Sequence, residues 1–238
     1  MLASFTWAKL ISDSVVNPLG TGFGDEQANE TGYQNSYNRR AERAEDPTNI
    51  PQRFVLSAVY ELPFGKGKRF QVSNPVLNTI VDGWQLNSIT TATAGLPLIV
   101  RGASNGLANR PDILRSPGLP EGYADTRPEL GVLWLDPSVF VNPSPYTYGN
   151  VPRTISTVRT PGAFLLDASL FKTFRLGERT KLQFRAESFN LPNWVNLGSP
   201  NTTFTALSGS NQNGNVSLGR ITSSRSGRNL QFALKLMF

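Results

Sequence analysis

Apolar and polar residues alternate along six stretches of the chain, each about ten residues long, the length a tilted membrane strand needs. They are Leu2–Ile11, Arg53–Leu62, Gly83–Gly95, Ala163–Arg175, Thr180–Asn190 and Arg228–Phe238. A period of two sends successive side chains to opposite faces of a strand. In the last stretch Leu230, Phe232, Leu234, Leu236 and Phe238 share one face, and Asn229, Gln231, Ala233, Lys235 and Met237 the other. In the fifth, Leu182, Phe184 and Ala186 oppose Lys181, Gln183, Arg185 and Glu187. Phe54, Leu56, Ala58, Tyr60 and Leu62 oppose Ser57 and Glu61 in the second, and Phe164, Leu166, Ala168 and Leu170 oppose Asp167 and Ser169 in the fourth. The first and third stretches alternate poorly.

The connections run roughly 40, 20, 65, 5 and 35 residues, long alternating with short. Compact domains favour short connections, so three long loops argue against a soluble sandwich. Outer-membrane barrels have this asymmetry, with short turns on the periplasmic side and long loops outside. The predicted fold is therefore all-β: an antiparallel up-and-down transmembrane β-barrel segment of about six strands with long extracellular loops. Six is fewer than the eight strands of a small closed barrel, so the segment is expected to be incomplete. In this order Tyr60, Phe64, Trp84, Phe174 and Phe238 fall near one rim, and Phe54, Phe164, Phe189 and Trp194 near the other, as aromatic girdles require.

Composition narrows the chemistry. Cys and His are absent, which excludes disulfides, Cys/His zinc sites, a Cys nucleophile and a Ser-His-Asp triad. With 21 Gly and 17 Pro among 238 residues, turns are frequent. No cofactor is expected. Met1–Ile11 shows no basic leader or cleavage site, so no export signal is visible. No window is apolar enough for a membrane helix; barrel strands escape such a test. The net charge of +6 comes from scattered residues: Arg39, Arg40 and Arg43 are interleaved with Glu42, Glu45 and Asp46. Without a basic stripe, no nucleic-acid partner is expected. Arg220, Arg225 and Arg228 lie in or beside the last long loop, facing water or anionic headgroups.

Three motifs invite chemistry and are better read otherwise. GTGFGDE at Gly20–Glu26 has no strand-to-helix context, so it reads as a loop rather than a phosphate site. GKGK at Gly65–Lys68 lacks the P-loop spacing and reads as a turn. Asp167 and Glu187 lie on neighbouring strands joined by a turn at Leu176–Glu178, and paired carboxylates hydrolyse glycosides. Alternating Lys181, Arg185 and Glu187 favour a hydrated interior instead. The lumen-facing candidates are Glu61, Asp167, Lys181, Gln183, Arg185, Glu187, Gln231 and Lys235.

YELPFGKGKRF (Tyr60–Phe70), GWQLNSITTATAGLPL (Gly83–Leu98), FLLDASLFKTFRLGERTKLQFRAESFNLPN (Phe164–Asn193) and GRITSSRSGRNLQFALKLMF (Gly219–Phe238) follow in this order. Together they resemble the C-terminal barrel strands of TonB-dependent receptors, closest to the Oar-like group that often carries a carboxypeptidase-regulatory-like domain. The likeness spans roughly Ile50 to Phe238. It implies that residues 1–238 are the C-terminal portion of a receptor barrel of about 22 strands, with the plug domain, TonB box and N-terminal strands absent. It also implies that LQFALKLMF, with Leu230, Phe232, Leu234, Leu236 and Phe238, is the signal read by the barrel-assembly machinery. The implied partners are outer-membrane lipid, that machinery, the remainder of the receptor including its plug, and the TonB complex through the missing N-terminal part. The implied role is barrel wall and outer loops for energised uptake of a ligand, without catalysis. An isolated six-stranded sheet would expose two edges and an oily face and would aggregate. Two other classes stand beside this one: a soluble all-β carbohydrate-binding module using Trp7, Trp134 or Trp194, and an enzyme built on Asp167 and Glu187.

Overall fold

A computed structural model describes residues 1–13, 33–35, 37–65, 67–70, 74–103, 107, 109–119, 125, 127–177, 180–210 and 212–238. The loop motif at 20–26 lies outside the described residues. Six strands pair antiparallel in chain order: β1 (Leu2–Trp7), β2 (Gln52–Glu61), β3 (Trp84–Thr93), β4 (Ala163–Arg175), β5 (Lys181–Phe189) and β6 (Asn229–Met237). The meander is open, with β1 and β6 at its edges. No helix among the described residues is long and apolar enough to cross a membrane.

The first strand is shorter than its pattern predicts. Pairing of β1 with β2 ends at Trp7 opposite Gln52, and the preceding Pro51 has no N–H to extend the ladder; its carbonyl accepts Ala8 N–H at 3.0 Å. Leu10 N–H turns to the Asn49 side chain, and Ile11–Ser12 pairs with Ala44–Glu45 instead.

The short connections hold one helix among the described residues, α1 (Pro75–Val81). The Asn74 side chain caps it, accepting the N–H groups of Val76 and Leu77 at 2.9 and 3.3 Å. Gly83, at φ 74°, turns the chain from helix into β3. Gly65 makes the other close approach in this connection: a Cβ there would lie 2.2 Å from Asp82 Oδ1, so the backbone at Gly65 packs on the helix end.

The long connections are the main departure from the pattern. Their described residues fold into a cap that holds the water-excluded core found among the described residues: Leu98, Val100, Leu135, Phe140, Phe204 and Leu218 are essentially inaccessible. The cap draws on all three loops. Arg110 pairs with buried Glu42, and Arg159 with Glu45, which also accepts Asn49 Nδ2. Fully buried Arg153 donates through Nε to Glu42 O at 2.9 Å, and to Ser12 O and Oγ at 2.7 and 2.8 Å. Arg220 grips both oxygens of Asp125 at 2.7 and 2.9 Å and donates to Gly131 O, fastening the third loop to the second. Gly102, at φ 108°, lets the backbone pass Phe204 O where a Cβ would stand 2.0 Å away. Buried charges paired in this way are costly to separate, since either partner left alone keeps its desolvation penalty.

Two outcomes follow for the cap. Phe140→Ala should cost it about 3–5 kcal/mol, read by hydrogen exchange as faster exchange across 97–100, 132–141 and 151–158 with the sheet unchanged. The Arg220 guanidinium, followed by the Arg127 backbone N–H, lowers Asp125 from an ordinary 3.8 to about 2. This contribution is fully present above the unfolded value and is lost as pH falls through the folded one, so exchange at 130–133 and 219–221 should rise between about pH 4 and 2. Asp125→Asn should remove that pH step.

Candidate functional site

Strand register sorts the sheet into two unlike faces. Leu182, Phe184 and Ala186 lie opposite Leu236, Leu234 and Phe232 on β6, and opposite Phe174, Lys172 and Leu170 on β4. Carried through β3 and β2 to β1, this face shows Trp84 and Leu86, then Tyr60, Leu56 and Phe54, then Phe5 and Trp7. Among the described residues no second layer of the chain covers it at β6, where Phe232 is 68% and Leu234 70% exposed. An apolar face this broad marks contact with lipid or another protein.

Glu61, Asp167, Lys181, Gln183, Arg185, Glu187, Gln231 and Lys235 all fall on the other face by register. Arg185 donates from Nε to Gln183 Oε1 at 2.9 Å and lies over the Phe171 ring, its direct cross-strand neighbour. Glu61 accepts Lys68 Nζ at 2.8 Å beyond the end of β2, which gives the GKGK turn a structural use. Asp167 Oδ1 accepts Asn190 N–H at 2.9 Å, holding Asn190 at its positive φ of 52° where β5 ends. Glu187 is paired across strands with Ser169 and Gln231, so Asp167 and Glu187 are offset by two positions rather than opposed.

The aromatic rims follow the predicted order with one correction. Trp84 stacks edge-on against Phe184 at 6.4 Å at the short-turn end, and Phe164 against Trp194 at 6.0 Å at the other. Phe189 belongs elsewhere: its partner is Asn229, and β5 parity puts it with Lys181 and Glu187 on the polar face. Phe5 and Trp7, which the pattern does not assign to a rim, join Phe54 at the cap end. Trp134, by contrast, lies in the cap and donates Nε1–H to Arg159 O at 2.6 Å. The three tryptophans considered as sugar platforms thus belong to different surroundings.

One charge breaks the apolar face. Lys172 lies directly opposite Trp84 and is only 2% exposed. Its Nζ donates to Ile80 O and Asp82 O, both at 2.6 Å, at the C-terminal end of α1. The rings of Trp84 and Phe174 flank it at 5.1 and 4.8 Å. Lys172 stands three residues before the end of β4, at the short-turn end of the sheet. The alternating pattern runs past this residue because periodicity registers apolar positions, not an exception among them.

In the cap, a cleft of about 420 Å³ lies between Arg101, Asn201, Thr203, Ser217, Arg220 and Ser223. Its hydroxyl, amide and guanidinium lining suits a polar ligand. Arg220 is already engaged with Asp125. Arg228 donates to Leu191 O at 3.4 Å near the base of β6.

No curated protein and no solved structure matches the chain. A family described as "Outer membrane beta barrel domain" matches residues 1–231. The antiparallel sheet, its single exposed apolar face and its aromatic rims fit that match. Membership locates the protein in the outer membrane and sets aside the soluble sugar-binding module. The chain belongs to the outer membrane beta barrel domain family.

Proposed function

We propose that the chain is the C-terminal part of a TonB-dependent receptor of the Oar-like group, supplying barrel wall and outer cap for energised uptake of a ligand. The observation that carries this is the open meander: among the described residues β1 and β6 each have one strand partner, beside an uncovered apolar face. A sheet with two free edges in hydrocarbon needs further strands to satisfy its backbone. Barrels of about 22 strands have a lumen wide enough for a plug, and the charged face suits such a hydrated interior. The remaining receptor strands then complete the wall, the plug occupies the lumen, and a segment upstream of this chain contacts TonB.

In this role Leu230, Phe232, Leu234, Leu236 and Phe238 serve twice, as lipid contact and as the strand read by the barrel-assembly machinery. The cap over the long-loop end receives the ligand, since loops on a rigid scaffold are the usual binding elements. The chain binds no nucleic acid and catalyses nothing; Asp167 serves the β5 turn through Asn190.

Antiserum against cap residues 129–160, applied to fractionated cells, should detect a polypeptide several times heavier than 26.1 kDa that leaves the membrane only with detergent. Immobilised TonB periplasmic domain should capture that polypeptide from the extract. A species of 26.1 kDa in the outer membrane, or one the TonB domain ignores, would contradict the proposal.

A further inference from the structure

We infer that α1 is a lipid-interface anchor, lying in the headgroup layer of the periplasmic leaflet against the outside of the barrel. This rests on family membership and the lipid-facing side of the sheet, and not on the TonB proposal. The helix ends over that side: Trp84 Nε1 donates to Ile80 O at 2.8 Å, while Lys172 Nζ holds Ile80 O and Asp82 O. Trp84 and Lys172 are cross-strand neighbours on the apolar face, so both tethers come from the side that meets lipid.

The outward side of α1 has the wrong chemistry for water. Val76 is 70% exposed, and Leu77 and Ile80 are more than half exposed. The same connection presents the Phe64–Phe70 ring pair, with Arg69 over Phe70 at 5.7 Å. Exposed aliphatics, rings and cations within one short segment are the composition of an interfacial element. The Trp84–Ile80 hydrogen bond sets these exposed aliphatics beside the lipid-facing rim, which selects lipid over a soluble partner.

Lys172 is the positioning residue. A helix C-terminus leaves carbonyls unpaired, and in a poorly hydrated layer they need a donor. A lysine entering from β4 supplies it and neutralises the negative end of the helix. The two groups that would each be unfavourable at the lipid boundary, a cation and the terminal carbonyls of a helix, satisfy one another.

The test uses the full native polypeptide in a cysteine-free background, reconstituted in phosphatidylethanolamine/phosphatidylglycerol vesicles with brominated acyl chains. Bimane is attached at Leu77→Cys, at Leu234→Cys as the barrel-lipid control, or at Ser208→Cys, exposed in the cap, as the aqueous control. Shallow bromines should reduce emission at 77 roughly twofold relative to 208, with deeper bromines acting more strongly at 234. Lys172→Met should abolish quenching at 77 while leaving that at 234, and Lys172→Arg should restore it. Position 77 reads the protein with Lys172 intact, so the result stands whether or not the methionine variant assembles. Quenching at 234 with none at 77 would overturn the anchor and spare the barrel orientation; quenching at neither would overturn both.

Discussion

The sheet depends on one constraint: in hydrocarbon, backbone N–H and C=O groups must be paired within the protein, and the outward side chains must be predominantly apolar, with Ser88, Thr90 and Ser188 as uncharged exceptions. A β ladder meets the first demand, and a strict period of two meets the second, because a slip of one residue would exchange the faces. The registers from β1 to β6 hold that alignment across the whole sheet, from Phe5 opposite Phe54 to Leu182 opposite Leu236. Lys172 breaks the rule at a strand end where it carries its own compensation, two carbonyls and two rings.

The cap follows different physics. There water is the solvent, so burial of Leu98, Leu135, Phe140 and Phe204 can drive folding as in a soluble domain. Ion pairs, each with at least one buried member, then fix which loop meets which: Glu42 with Arg110, Glu45 with Arg159, and Asp125 with Arg220. The result is a sheet solvated by lipid on one face, joined to a small domain solvated by water. Their apolar residues belong to separate environments.

That division also decides how much of the molecule is legible in its sequence. The sheet is legible because hydrocarbon enforces a local rule: alternation in β4, β5 and β6 gives their extents to within a residue or two, and with them seven of the eight polar-face residues, Glu61 standing on β2. The cap is not, because its core is assembled from residues far apart in the chain, such as Leu98, Phe140 and Leu218, with no shared period. Its one signal is local density: LPLIV at 96–100, VLWL at 132–135 and VFV at 139–141 are too apolar for solvated loops. Phe189 is misassigned by the pattern because a girdle inferred from strand ends alone lacks the parity that register supplies. Lys172 and the α1 carbonyls need coordinates, since 90 residues separate Lys172 from Asp82.

The most direct measurement of whether hydrocarbon covers the apolar face is a nitroxide scan along β6 of the membrane-inserted protein, comparing collisions with lipid-dissolved oxygen and with a water-soluble nickel chelate. Oxygen accessibility should peak at 230, 232, 234 and 236 and fall at 229, 231, 233 and 235, with nickel access low throughout the even positions. Even positions shielded from oxygen, or open to nickel, would mean that protein or water covers Leu230, Phe232, Leu234 and Leu236, and would contradict a lipid-facing orientation of this side of the sheet.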